Sequence, residues 1–179
     1  PDLRNKDLAL MKLRAVEKRY TLFFLISYEM GEHTIKIDIS KRKGAGGFES
    51  KGYLGIKALV MRKEDMSAGK LSALLTRKKF AMRDVFDIWF FLKNKWQINE
   101  MVLTEKTGLA LKEALEQAVK KINGINKSQI LQGLGELLDI KQKAWAREKL
   151  TEETVFYLRL YLEMYEKPAS IVRPRVIAM

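Results

Sequence analysis

The period of the apolar residues changes once along this chain, and that change limits the folds open to it. In the stretches leading up to Arg62 the apolar residues come in strand-like patterns, alternating over 34–40; beyond it apolar residues recur every three or four positions. A strand repeats every second residue and a helix every 3.6, so the first part suits a sheet and the second suits helices. We expect an α+β protein with three regions: a small sheet lobe over residues 1–62, a mostly helical lobe over 63–167, and an extended tail over 168–179.

Within the first region, residues 2–19 read as an amphipathic helix, with Leu3, Leu10, Leu13 and Val16 on one side and basic residues on the others. Residues 21–28, TLFFLISY, are aromatic and β-branched and read as a buried strand. A turn around Gly31, which includes the single histidine His33, leads to 34–40, TIKIDIS. There Ile35, Ile37 and Ile39 face one side and Lys36 and Asp38 the other, so the two strands should pair as a hairpin. The basic, glycine-containing stretch 41–52 reads as a mobile connection. Its GAGG lacks the Lys-Ser or Lys-Thr that a phosphate-binding loop needs. Residues 53–61 read as one more strand, weakened by Gly55.

The second region reads as helices over 64–76, from about Ala81 to 94, and over 104–122, 128–138, 141–149 and 151–167. Ser128 and Thr151 are expected N-caps, and Asn123-Gly124 an expected stop. Ala110, Ala114, Leu115, Ala118, Val119 and Ile122 form a core stripe. Phe156, Tyr157, Tyr161 and Tyr165 suggest either a base-stacking surface or core packing; their helical spacing favours the core.

Composition narrows the function classes. With 179 residues and 47% hydrophobic content the chain can bury a sizeable core, and with no cysteine it has neither disulfides nor a cysteine-built metal site. The longest apolar runs are far too short to cross a bilayer, and we expect a cytoplasmic protein without membrane contact. A net charge of +12 suits a polyanionic partner: nucleic acid, nucleotide phosphates or an acidic protein.

The chemistry concentrates in residues 70–94, KLSALLTRKKFAMRDVFDIWFFLKN. Asp84 and Asp87 stand three positions apart near the start of a helix, where its positive pole favours anions, and Lys70, Arg77 and Arg83 flank them. By themselves these residues could be ordinary surface ion pairs. Their order, Lys70-x-x-Ala73-Leu74, Arg77, then Arg83-Asp84-x-x-Asp87-Ile88 and aromatics, resembles the signature of the AbiEii/AbiGii-type nucleotidyltransferase toxins, members of the DNA polymerase beta-like nucleotidyltransferase superfamily. The resemblance implies transfer of a nucleoside monophosphate from a nucleoside triphosphate, with Mg2+, to a hydroxyl of RNA such as tRNA, or of a protein. It also implies a cognate antitoxin protein as partner.

In such enzymes Lys70 would neutralise triphosphate charge, Arg77 and Arg83 would bind phosphates, Asp84 would be catalytic and Asp87 supporting. Asp38, between Ile37 and Ile39, would be the third catalytic carboxylate and a metal ligand; read alone it is equally an exposed strand residue paired with Lys36. Family members carry a Gly-Gly or Gly-Ser turn and an Asp-x-Asp strand upstream of that position. This chain has no Asp-x-Asp, and its Gly46-Gly47 falls after Asp38. Because it also opens at Pro1, we expect the C-terminal part of a longer nucleotidyltransferase, inactive alone. The alternatives are a degenerate relative or a non-catalytic basic helical module that binds nucleic acid or an acidic protein.

Overall fold

A computed structural model describes residues 11–27, 34–41, 44, 46–78 and 80–166. The chain forms two compact units, Pro1–Gly44 and Ala45–Met179. The first is an antiparallel meander of β1 (Met11–Lys18), β2 (Thr21–Ser27) and β3 (Ile35–Ser40). Its register pairs Leu22 with Ile39, Phe24 with Ile37 and Ile26 with Ile35, which gathers these apolar side chains on one face. The helix expected over 2–19 is not found where it can be checked: residues 11–18 are strand, and 2–10 lie outside the described residues. Leu13 and Val16 fit a helical spacing, but β2 needs an antiparallel neighbour, and pairing across the two-residue turn at Arg19-Tyr20 supplies it. The turn at residues 30–33 and the tail 168–179 also lie outside the described residues.

The second unit opens with a hairpin of β4 (Phe48–Tyr53) and β5 (Ile56–Met61). This corrects two expectations, the loop through 52 and the single strand over 53–61. Leu54 and Gly55 have φ of 47° and 80°, the left-handed pair that closes a two-residue hairpin, so Gly55 is the turn itself. Five helices follow: α1 (Lys63–Thr76), α2 (Met82–Lys93), α3 (Glu100–Thr107), α4 (Leu111–Asn123) and α5 (Ile140–Glu166). The change of period at Arg62 therefore marks the passage from strand to helix, whereas the compact units divide earlier, after Gly44. The hairpin belongs with the helices because its entry is tied to them: the Gly47 amide donates to buried Asp65 of α1 at 2.6 Å, and the Arg62 amide donates to the Gly47 carbonyl at 3.0 Å.

The helices pack around one core that includes Leu71, Leu74, Val85, Ile88, Leu103, Leu115 and Leu158. The expected helix 104–122 is two helices, α3 and α4. Gly108, at φ 74°, ends α3, and Asn99 caps its start by accepting from the Val102 amide. Residues 128–138 are mostly turns after a single 3-10 turn at Lys127–Gln129; Gly133 (φ 73°) and Gly135 interrupt the helical pattern, and Asn126 rather than Ser128 provides the cap. The two helices expected over 141–167 are one, with Thr151 inside it. Asp139 and Gln142 close its start reciprocally, each side chain accepting from the other's amide at 2.8 and 3.0 Å. Of the α5 aromatics, Tyr157 and Tyr161 pack against the core, while Phe156 and Tyr165 are exposed. No helix among the described residues is long and apolar enough to cross a membrane.

Candidate functional site

Two helices and the short link between them bring five charged side chains together. Lys70 lies on α1, whose last turn ends at Arg77 in extended backbone; Lys121 of α4 reaches the exposed end of α1 and donates to the Leu75 carbonyl at 3.1 Å. The chain then turns through Phe80 into α2, with Asp84 in the first turn and Asp87 three residues on. The buried face of each helix sets this geometry. Leu71 and Leu74 of α1, and Val85 and Ile88 of α2, anchor the two helices in the core, and the charged residues stand beside them.

Lys70 bridges both carboxylates, with its ammonium 3.4 Å from Asp84 Oδ1 and 2.5 Å from Asp87 Oδ2. The Arg77 guanidinium is 3.0 Å from Asp84 Oδ2. Asp84 is the buried member, with a side chain 2% exposed, whereas Lys70, Arg77 and Asp87 all reach solvent. Its Oδ2 receives no hydrogen bond among the described residues, although Arg77 stands within ion-pair distance. The contact is therefore a Coulombic one whose N–H direction misses the oxygen. Arg83 runs beside Gly133, where a Cβ would come within 3.8 Å of its Nε.

These groups line a cavity of about 370 Å³. Its lining combines three cations, Lys70, Arg77 and Arg83, and two carboxylates, Asp84 and Asp87, with the apolar Phe86, Leu134 and Leu137. An anion with an apolar part suits such a cavity. All five charged residues singled out in 70–94 thus meet in one place. Asp38 stands on β3 of the first unit, with its carboxylate 3.1 Å from the Lys36 ammonium.

The family profile described as nucleotidyl transferase AbiEii toxin, type IV TA system, matches residues 7–159. The chain belongs to the AbiEii family. Searches of curated proteins and of solved structures find no match. AbiEii proteins are nucleotidyltransferase toxins of type IV toxin–antitoxin systems, so an antitoxin is the implied partner and a nucleoside triphosphate with a divalent metal the implied chemistry. The described residues do not fit that metal. No group of three or more His, Cys, Asp or Glu side chains among them could hold one, and Asp38, Asp84 and Asp87 each face a cation of the protein instead.

Several features of this AbiEii chain escape a reading by sequence. Leu134 and Leu137 reach the cavity from a segment about fifty positions downstream, and the glycines around them are the only local sign that the helix breaks there. Asp65, which looks like an acid placed at a helix start, is buried; it accepts from the Gly47 amide and from Asn99 Nδ2, each at 2.6 Å. Glu153 accepts from the indoles of Trp89 and Trp145 at 2.9 and 3.0 Å, which fixes the aromatic group beside Phe86.

Proposed function

We propose that this chain carries the triphosphate-handling part of an AbiEii nucleotidyltransferase toxin that moves a nucleoside monophosphate onto a hydroxyl of RNA, tRNA foremost, or of a protein. The acceptor oxygen attacks the α-phosphorus and forms the new P–O bond. The bond from that phosphorus to the bridging oxygen of the β-phosphate breaks, and pyrophosphate leaves with the electron pair while the hydroxyl proton passes to solvent. Lys70 neutralises charge that builds on the triphosphate and leaving group, and Arg77 and Arg83 hold its phosphates. Asp84 and Asp87 aim the Lys70 ammonium, and buried Asp84 also draws in the Arg77 guanidinium. Asp38 is assigned the place of third carboxylate. That place needs the two carboxylates of an Asp-x-Asp, which the sequence lacks, so these 179 residues alone are expected not to transfer nucleotides.

The observation that carries the proposal is the bridge from Lys70 to Asp84 and Asp87 on the wall of an open, net-cationic cavity. The test is transfer of label from α-labelled nucleoside triphosphates by the native protein. Lys70→Ala should lower turnover at least about a hundredfold and, because it removes the hydrogen bond to the buried Asp84 carboxylate, should also cost roughly 1–3 kcal/mol of stability, so turnover is compared per folded molecule. Full transfer by that variant would sink the proposal. The net charge of +12, with no carboxylate group for a metal among the described residues, favours a second reading, a non-catalytic module for nucleic acid or an acidic partner. Such a module would lose affinity in small steps as lysines and arginines are removed, with no single residue decisive.

A further inference from the structure

We propose that a groove between the end of α2 and the last turns of α5 binds single-stranded RNA. The groove encloses about 730 Å³ and is separate from the cationic cavity. Tyr157, Tyr161 and Tyr165 line it from α5 with Leu160 and Met164 between them, and Leu92, Lys93, Lys95 and Gln97 line it from the end of α2 and the segment that follows. The three tyrosines recur every fourth residue on one helix face, with steps of about 6 Å along the axis; Tyr157 and Tyr161 are half-buried against the core and present only part of each ring, and Tyr165 is exposed. Aromatic faces beside lysines are the chemistry that holds a single strand, because every base stacks and every nucleotide carries a phosphate. Hydrogen bonds fix two of the rings. Tyr161 Oη accepts from the Ile98 amide at 3.0 Å and donates to Gln97 Oε1 at 3.1 Å, and Tyr165 Oη donates to Glu100 at 3.2 Å. Tyr165 nevertheless remains 44% exposed.

A second, independent observation is the backbone of Lys95. It has φ 59°, left-handed and unfavourable for residues with a side chain other than Asn and Asp. The Lys95 amide donates to the Leu92 carbonyl and the Trp96 amide to the Phe91 carbonyl, at 2.9 and 3.0 Å, and Trp96 stacks on Phe91. That is the helix-ending arrangement in which glycine is normal at the position Lys95 occupies. A lysine there trades stability for a cation at the groove, and strain of this kind concentrates at working sites. Lys93 lies over the Trp89 ring, while among the described residues Lys95 has no carboxylate partner.

Charge selects the occupant. Residues 167–179 of the chain carry Lys167, Arg173 and Arg175 and no acid, and a second copy brings another +12, so both would meet the groove lysines with like charge. A polyanion with flat apolar faces satisfies both walls. The test measures binding of a fluorescein-labelled 12-nucleotide oligouridylate to the full chain by anisotropy. Tyr165→Ala should weaken binding about tenfold. Lys95→Gly should raise the melting temperature, lower the affinity at least about threefold and reduce the salt slope by about one. If both variants bind as the original chain does, the groove is not the RNA site. Oligoglutamate of the same length stands for an acidic protein segment: if Tyr165→Ala weakens it as much as it weakens oligouridylate, the groove takes protein and the RNA assignment falls. Neither failure touches the nucleotide cavity.

Discussion

Glu153 shows how much one half-exposed side chain can organise. Burial pushes its pKa up, but hydrogen bonds from the Trp145 and Trp89 indoles, with Lys93 and Lys149 nearby, outweigh that and hold it below the ordinary 4.5. A carboxylate whose pKa is lower in the folded state stabilises the protein above its unfolded value and loses that contribution as pH falls through the folded one. Glu153→Gln keeps one oxygen acceptor for two indoles, so at neutral pH it should cost about 1–2 kcal/mol and shift tryptophan emission. Melting curves across pH should show the gap between variant and original narrowing below about pH 4.5, the ordinary value. A gap independent of pH would mean that the ionised carboxylate is not what the indoles bind. At this scale the grouping of Lys70, Arg77, Arg83, Asp84 and Asp87 was legible in the sequence because two consecutive helices and the short link between them carry all five. Asp65 and Glu153 were not, since their partners, Gly47, Asn99, Trp89 and Trp145, come from other elements and no local pattern marks such contacts.

Elements were legible where a single period runs unbroken. β2, β3, α1 and α2 fall within a residue or two of their expected bounds. They were not legible where pairing or glycine decides. β1 is strand because β2 pairs with it, the α3/α4 break follows from a left-handed Gly108, and β4 is hidden by a lysine- and glycine-containing run. The β4–β5 turn makes a prediction of its own. Leu54 holds φ 47° with its side chain largely in solvent, so it bears backbone strain without packing in return. Leu54→Asn, which tolerates that conformation and restores the Asn-Gly pair of such turns, should stabilise the unit by about 0.5–1 kcal/mol. Denaturant unfolding checks it; a loss of stability would mean that the turn geometry differs.

At the scale of the whole molecule, the +12 charge acts over distances that no single contact does. Affinity for a single-stranded polyanion should fall with salt along a log–log slope of roughly −2 to −4, which corresponds to about three to six neutralised phosphates. Titrations of the oligouridylate between low and moderate salt would measure it, and a flat response would leave stacking as the sole source of affinity. The α+β class and the AbiEii family were both legible at this scale, because a change of period and an ordered motif survive without any three-dimensional information.

Lys95 carries a practical warning for anyone who would improve this protein. A screen that ranks variants by heat tolerance alone should favour glycine at that position, since the helix end already has the hydrogen bonds glycine would use. The winners of such a screen would be hardier and would have lost a positive charge from the groove, so selection for robustness and selection for binding would pull this one codon in opposite directions.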